Sequence, residues 1–407
     1  MAERPLHILI VGSTWPPEAF IARLIKGLLE CGLMITVATP TKPAEQWLQQ
    51  PGFHWLFAPH WQGDIAWRLV QFARLFLRSL LLGRVSGAKV TGTFPGAGHL
   101  PTRPFWLHWY RFLPFAGQKW DVIYFPWNSA AVHYLPLFDL GCPVVISCRG
   151  SQINVAPHDP QRADFVEGLK VTLPQATAVH CVSEAIKLEA SKYGLDPRKA
   201  QVIYPAVNPD FFHPASQPKA VISSPFRIIM IGALRWVKGY EFALLAVKQL
   251  IEEQLPVHLD IIGDGPERQR VLYTIEDLQL QGVVHLHAQF TPEQVRDKLQ
   301  QSHVFLLTSL SEGISNAALE AMACGLPVVT TDCGGMREAV TDSVEGFVVP
   351  GGDVVATAVA LKQLITNPDL CQRMGQAGWQ RICQQFTLTQ QIEAFISLFR
   401  SCISCVD

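Results

Sequence analysis

Short, continuous apolar runs alternate with stretches of helical periodicity along the whole chain, and the alternation occurs twice. The first half reads as strands at His7–Val11, Met34–Thr39, Val122–Phe125, Val144–Ser147, Ala178–Val182 and Gln201–Tyr204, with a helix over Phe20–Cys31 that stops at Gly32. The segment Pro214–Lys219 has linker composition. The pattern restarts with strands at Arg227–Gly232, His258–Ile262, Val284–His287, Val304–Thr308 and Pro327–Thr331. Helices are predicted between them at Tyr240–Glu253, Glu267–Leu278, Pro292–Gln301 and Asn316–Ala323, and Asp353–Ile403 reads as largely helical. Strands without polar alternation, separated by helices, belong to parallel sheets covered on both faces. The fold class is therefore α/β: two doubly wound, Rossmann-like domains at 1–213 and 224–385, a linker at 214–223 and a terminal helix within 386–407. Such sheets bind ligands at the carboxyl ends of their strands, so the chemistry is expected at a cleft between the domains.

Composition narrows the function. With 49% hydrophobic and 16% charged residues the chain is not disordered, and a net charge of −1 gives no footprint for nucleic acid. The charge is unevenly spread. From Pro51 to Lys119 there are eight basic residues (Arg68, Arg74, Arg78, Arg84, Lys89, Arg103, Arg111, Lys119) against Asp64, with Trp55, Trp61, Trp67, Trp106 and Trp109 among them. Ile65–Leu82 is interrupted by Arg68, Arg74 and Arg78, which argues against a transmembrane helix. No secretory leader is read at the N-terminus, and a cytoplasmic location is expected. Scattered cysteines such as Cys31, Cys181 and Cys324 read as buried free thiols, and Cys402–Cys405 stands alone without a second ligand pair for zinc.

Four strand-exit loops in the second half carry candidate chemistry. Gly232–Gly239 holds Arg235 and Lys238 ahead of a helix, either a solvated basic loop or a phosphate clamp. Gly263-Asp-Gly265 lacks the third glycine of a dinucleotide fingerprint and reads as a tight turn. In Thr308–Val328, Ser315 is placed to cap a helix whose free N–H groups form an anion site. Glu320, about one and a half turns in, suits a bidentate grip on a vicinal diol, and Glu312 precedes the turn. Gly334-Gly335 allows backbone to approach a ligand closely, or is a simple turn.

The spacing of Glu312 and Glu320, followed by Ala-Met-Ala-Cys-Gly-Leu-Pro-Val-Val-Thr-Thr-Asp-Cys-Gly-Gly, resembles the retaining GT-B glycosyltransferases called glycosyl transferases group 1 (family 4 type). Gly-Ala-Leu-Arg-Trp-Val-Lys-Gly and Ile-Ile-Gly-Asp-Gly-Pro-Glu are similar to the same family. Pro17–Ile21 and His180–Ile186 resemble segments of its members that build bacterial exopolysaccharides of the colanic-acid kind. The resemblance implies a nucleoside-diphosphate sugar, a co-substrate rather than a cofactor, held by the second domain, and a glycan or lipid-linked acceptor held by the first. It also implies a last helix, Thr387–Ile403, that crosses back to the first domain. By the same resemblance Glu320 binds the donor ribose, Glu312 the transferred sugar and Lys238 the diphosphate. Gly313, Ile314, Ser315 and Asn316 cover sugar and phosphates, with Gly232, Gly263 and Gly265 lining the donor site. Glu18, Arg149 and Gly150 lie on the acceptor side. The chain departs from the pattern twice. Ala233 stands where the family has an arginine, with Arg235 as the nearest substitute. Arg149 stands where many members have histidine, and it stays protonated and cannot act as a base.

Departure of a nucleoside diphosphate develops negative charge that preorganised cations and backbone donors stabilise. No Asp-x-Asp metal motif is present, so transfer is expected to be metal-independent, with retention implied by the resemblance. Competing classes are an epimerase or phosphorylase on the same architecture, an NAD dehydrogenase (disfavoured, since no Gly-x-Gly-x-x-Gly is intact) and a sugar-nucleotide sensor. In Asp64–Arg84, Ile65, Leu69, Phe72, Phe76 and Leu80 share one helical face opposite Arg68, Gln71, Arg74 and Arg78. Two readings stay open for 51–119: a core helix with a solvated basic back, or a peripheral contact with an anionic membrane.

Overall fold

The computed structural model describes residues 4–59, 64–81, 105–215 and 224–404. Arg84, Lys89, Arg103, Trp61, Cys405 and most of the expected linker lie outside them, as does the side chain of Trp106. Two compact units form, Met1–Ile203 with Ile392–Asp407, and Tyr204–Gln391. Residues 204–213 group with the second unit. Val207 bridges to Thr387, Gln391 Nε2 donates to the Tyr204 carbonyl at 2.8 Å, and Phe212 is buried in that unit's core.

In the first unit β1 (His7–Val11), β2 (Met34–Thr39), β3 (Phe53–Phe57), β4 (Val122–Phe125), β5 (Val144–Cys148), β6 (Ala178–Cys181) and β7 (Ala200–Val202) form one parallel sheet, ordered β3-β2-β1-β4-β5-β6-β7. Ile8, Leu9, Ile10 and Val11 have no exposed surface, and burying each aliphatic side chain contributes about 1.5–3 kcal/mol. The helix Leu388–Ser404 packs Phe395 and Phe399 onto this unit, both edge-on to Tyr124 and Phe395 also edge-on to His180.

The second unit repeats the design with β8 (Phe226–Ile231), β9 (Val257–Ile262), β10 (Val284–His287), β11 (Val304–Leu307), β12 (Val328–Thr331) and β13 (Gly346–Val349), ordered β10-β9-β8-β11-β12-β13 and parallel throughout. The winding direction reverses between β8 and β11, and there ligands bind in sheets of this order.

The basic helix, Ile65–Leu81, buries only part of its apolar face. Phe72, Leu75 and Phe76 pack against buried Trp109, Leu113 and Ala116, whereas Ile65, Leu69 and Leu80, on the same apolar face as Phe72 and Phe76, are exposed. The buried stripe is set by where Trp109 and Leu113 meet the helix, and it lies to one side of the most apolar stripe. Cys31 is also exposed, because it caps the C-terminus of the helix Ala19–Glu30; Cys181 and Cys324 are buried. Among the described residues no helix is long and apolar enough to cross a membrane.

Candidate functional site

The loops leaving β8 and β11 lock together at the switch point. Thr308 donates its hydroxyl to the carbonyls of Gly239 (2.9 Å) and Lys238 (3.2 Å), and the Leu310 N–H donates to Val237 O at 2.8 Å. Gly239 adopts φ +60°, and a Cβ there would strike the Thr308 carbonyl, so only glycine allows the two loops this approach. Lys238 Nζ then reaches Glu312 Oε1 at 2.5 Å, with side chains 21% and 12% exposed. Ser309 Oγ donates to the same carboxylate oxygen at 2.8 Å, and Thr331 in turn donates to the Ser309 carbonyl. Behind the pair, burial and then the Glu312 charge push the Tyr240 hydroxyl well above its ordinary value; its proton is held by the Gly232 carbonyl at 2.9 Å. Burial similarly raises the Cys333 thiol to about 12, so it is no nucleophile.

Beyond Glu312 the chain enters the helix Asn316–Ala323, capped by Ser315 Oγ accepting from Ala318 N. Ser315 N donates to Met336 Sδ, and Gly335 N donates to the Gly313 carbonyl at 2.7 Å, fixing the turn from behind. The backbone N–H groups of Gly313, Ile314, Asn316 and Ala317 donate to nothing among the described residues. Asn316 Oδ1 is buried and unpartnered. Four idle donors at a helix start, next to a lysine, can hold an anion. Glu320 is half-buried one turn further along.

The β9 loop frames this site. A Cβ on Gly265 would come within 2.6 Å of the Leu234 carbonyl and one on Gly263 would strike that of Gly232, so both glycines serve backbone contact between loops. Arg268, where a fingerprint glycine would stand, leaves Nη1 buried and unpartnered. Arg235 is not brought to the Lys238–Glu312 pair. It is exposed and lines a shallow pocket with Trp236, Glu241, Glu267 and Arg270.

In the first unit Glu18 is exposed and opens the helix Ala19–Glu30 through its carbonyl, which accepts from Ile21 and Ala22. Arg149 stacks over Phe20 at 4.5 Å, donates to Pro126 O at 3.2 Å and precedes Gly150 at the start of the helix Gly150–Asn154. His180 accepts from Ser147 at Nδ1 (2.7 Å) and donates from Nε2 to Ile203 O (2.8 Å). Burial, then the Arg149 charge, lower it to about 3, so it stays neutral. Thr308, Ser309 and Thr331 were given no role from the sequence; two hydroxyls ending an apolar strand were the available signal.

Residues 17–211 match the family model for Glycosyltransferase Family 4, and residues 214–381 match that for Glycosyl transferases group 1. The chain belongs to the family 4 type of GT-B glycosyltransferases. A putative colanic acid biosynthesis glycosyltransferase, WcaL of Escherichia coli, is 34% identical over 43% of this chain and 45% of its own length. The N-acetyl-alpha-D-glucosaminyl L-malate synthase of Bacillus anthracis is 24% identical over 63% and 67%. The match thus spans about half the length of most of these curated relatives. Anabaena HepE, solved with UDP and glucose, superposes with TM-score 0.72 at 18% identity, covering 98% of this glycosyltransferase and 100% of that chain. Staphylococcus aureus TarM, solved with Fondaparinux, alpha-GlcNAc-glycerol and UDP, gives 0.69 at 12% identity, covering 98% and 100%.

Proposed function

We propose that this protein transfers a glycosyl group from a nucleoside-diphosphate sugar to a hydroxyl of a glycan or lipid-linked acceptor in polysaccharide-type biosynthesis, with retention and without a divalent ion in the transfer step. The observation that carries the reading is the row of idle N–H groups at Gly313, Ile314, Asn316 and Ala317 beside Lys238. In this reading the N–H row and Lys238 take the diphosphate, and Arg235, exposed on a long side chain, turns onto its outer oxygens. Glu312 leaves Lys238 to accept sugar hydroxyls, Asn316 Oδ1 accepts another, and Glu320 grips the ribose diol. Gly232, Gly263 and Gly265 keep that floor free of side chains. As the anomeric C–O bond breaks, its electron pair leaves with the diphosphate. The acceptor oxygen bonds to the anomeric carbon and gives its proton to the departing phosphate.

Glu18, Arg149 and Gly150 serve the acceptor. Arg149, stacked over Phe20, supplies a cation there. WcaL's putative role in colanic acid biosynthesis and the UDP and glucose bound by HepE support a nucleotide-sugar donor and a polysaccharide-type acceptor. The helix Ile65–Leu81 exposes Trp67, Val70, Leu77 and Leu81 together with Arg74 and Arg78, which fits contact with an anionic lipid surface carrying the acceptor. Sugar-nucleotide screening with UDP-, GDP- and ADP-sugars, with and without EDTA, tests the core reading. Turnover should survive EDTA and fall in Glu312→Ala; the opposite pair of results overturns it. Flotation with anionic and neutral liposomes tests the lipid contact, and equal lack of binding ends it.

A further inference from the structure

A second polar cluster sits within the sheet of the second unit, before its strands reach the site loops. His258 and Asp260 share one face of β9, and the parallel register sets His285 of β10 beside Asp260, with His287 next on that face. Asp260 is 1% exposed. Burial opposes its charge, but hydrogen bonds from Lys298 (2.9 Å, to Oδ2) and His287 (2.6 Å, to Oδ1) outweigh that and keep its carboxyl below the ordinary value. His258 Nε2 is 3.5 Å from Oδ1, and the His258 and His285 rings stand edge to face at 4.6 Å. One donor atom from each of His258, Asp260 and His285 lies within 4.8 Å of the other two. Helix-covered sheet faces are ordinarily apolar, and three imidazoles around one buried carboxylate exceed what this fold requires.

We infer that His258, Asp260 and His285 bind a transition-metal dication of the zinc or nickel kind, with His287 fixing Asp260. Imidazole nitrogen and a single carboxylate oxygen suit those ions better than magnesium or calcium. Ligand distances near 2.0–2.2 Å require the three donors to close in slightly, which side-chain rotation at exposed His285 supplies. Lys298 holds Oδ2, so Asp260 offers Oδ1 alone and the site is monodentate there. His287 donates to that same oxygen, the outer-sphere arrangement that orients a ligating carboxylate. The ion would clip the short edge strand β10 to β9, and it has no part in glycosyl transfer.

The test uses the full chain, stripped with chelator and dialysed, titrated with zinc chloride by calorimetry and followed by thermal unfolding. Expected are one tight zinc per chain with Kd of about 1 μM or below and a Tm rise of roughly 5–11 °C at a hundredfold excess over Kd. His285→Ala, at an exposed position, should weaken binding at least about tenfold and cut the Tm rise to about half or less, while His158→Ala, exposed in the first unit, should leave both unchanged. His285→Cys should restore binding. Wild-type protein that binds no zinc tighter than about 100 μM overturns the inference. So does a His285→Ala titration that matches wild type.

Discussion

Lys238→Ala separates a catalytic cation from a structural one. The wild-type pair is 2.5 Å long, with its side chains 21% and 12% exposed, and Glu312 keeps a second bond from Ser309 at 2.8 Å. Breaking a fully buried pair costs about 3–5 kcal/mol. The surviving Ser309 bond and the solvent reaching the lysine reduce this to about 2 kcal/mol. In a unit of this size that lowers Tm by roughly 4–8 °C. If Lys238 also stabilises the departing diphosphate, turnover falls by a further factor of about 10²–10³, the usual loss for one preorganised charge-stabilising group. The assay is nucleoside-diphosphate release at saturating donor, well below the variant's Tm, with Glu312→Gln and the double variant completing a cycle. A structural pair would give a lower Tm with turnover within about threefold of wild type. That result would refute Lys238 as the diphosphate ligand.

Three more outcomes follow from the geometry. Glu320→Ala should raise the donor KM about tenfold with kcat nearly unchanged, read from initial rates, because a ribose grip acts equally in ground and transition states. Gly239→Ala should destabilise the second unit by about 2 kcal/mol or more in chemical denaturation, since it combines positive φ with a Cβ against the Thr308 carbonyl. His180 sits near 3 when folded and near 6.5 when unfolded, so the unfolded chain takes up a proton that the folded chain refuses. Stability from this group is intact above pH 6.5 and drains by about 1.4 kcal/mol per pH unit as pH falls toward 3; denaturation curves of His180→Gln should lose that slope.

Central strands were legible because burial on both faces leaves no polar alternation: His7–Val11, Met34–Thr39 and Val304–Leu307 read directly. Of the four edge strands, Val284–His287 was legible as well and Ala200–Val202 was read as Gln201–Tyr204, but the other two were not. Phe53–Phe57 is half-exposed, and Gly346–Val349 is short and begins on glycine, so neither shows a continuous apolar run. The Glu312–Glu320 spacing and Lys238 pointed to the switch point, but the hydroxyls of Thr308 and Thr331, which tie this loop to others, act between segments distant in sequence, while Ser309 holds Glu312 from within its own loop. Which part of the apolar face of the helix Ile65–Leu81 is buried was not legible for a related reason: its partner, Trp109, chooses the stripe, and periodicity alone does not record partners. Arg235 is the nearest substitute in sequence for the family arginine absent at Ala233, and it stands at the start of the turn Trp236–Lys238.

The return of the last helix to the first unit has a consequence for the order of assembly. During synthesis the second unit, Tyr204–Gln391, is a single uninterrupted stretch and has every strand and helix it needs as soon as it emerges. The first unit emerges earlier but finishes later, because Tyr124 and His180 wait for Phe395 and Phe399 from the far end of the chain. A nascent chain halted before Ile392 therefore carries a complete second unit behind a first unit with an uncovered aromatic seam, and it is the older half that chaperones and proteases would find unfinished.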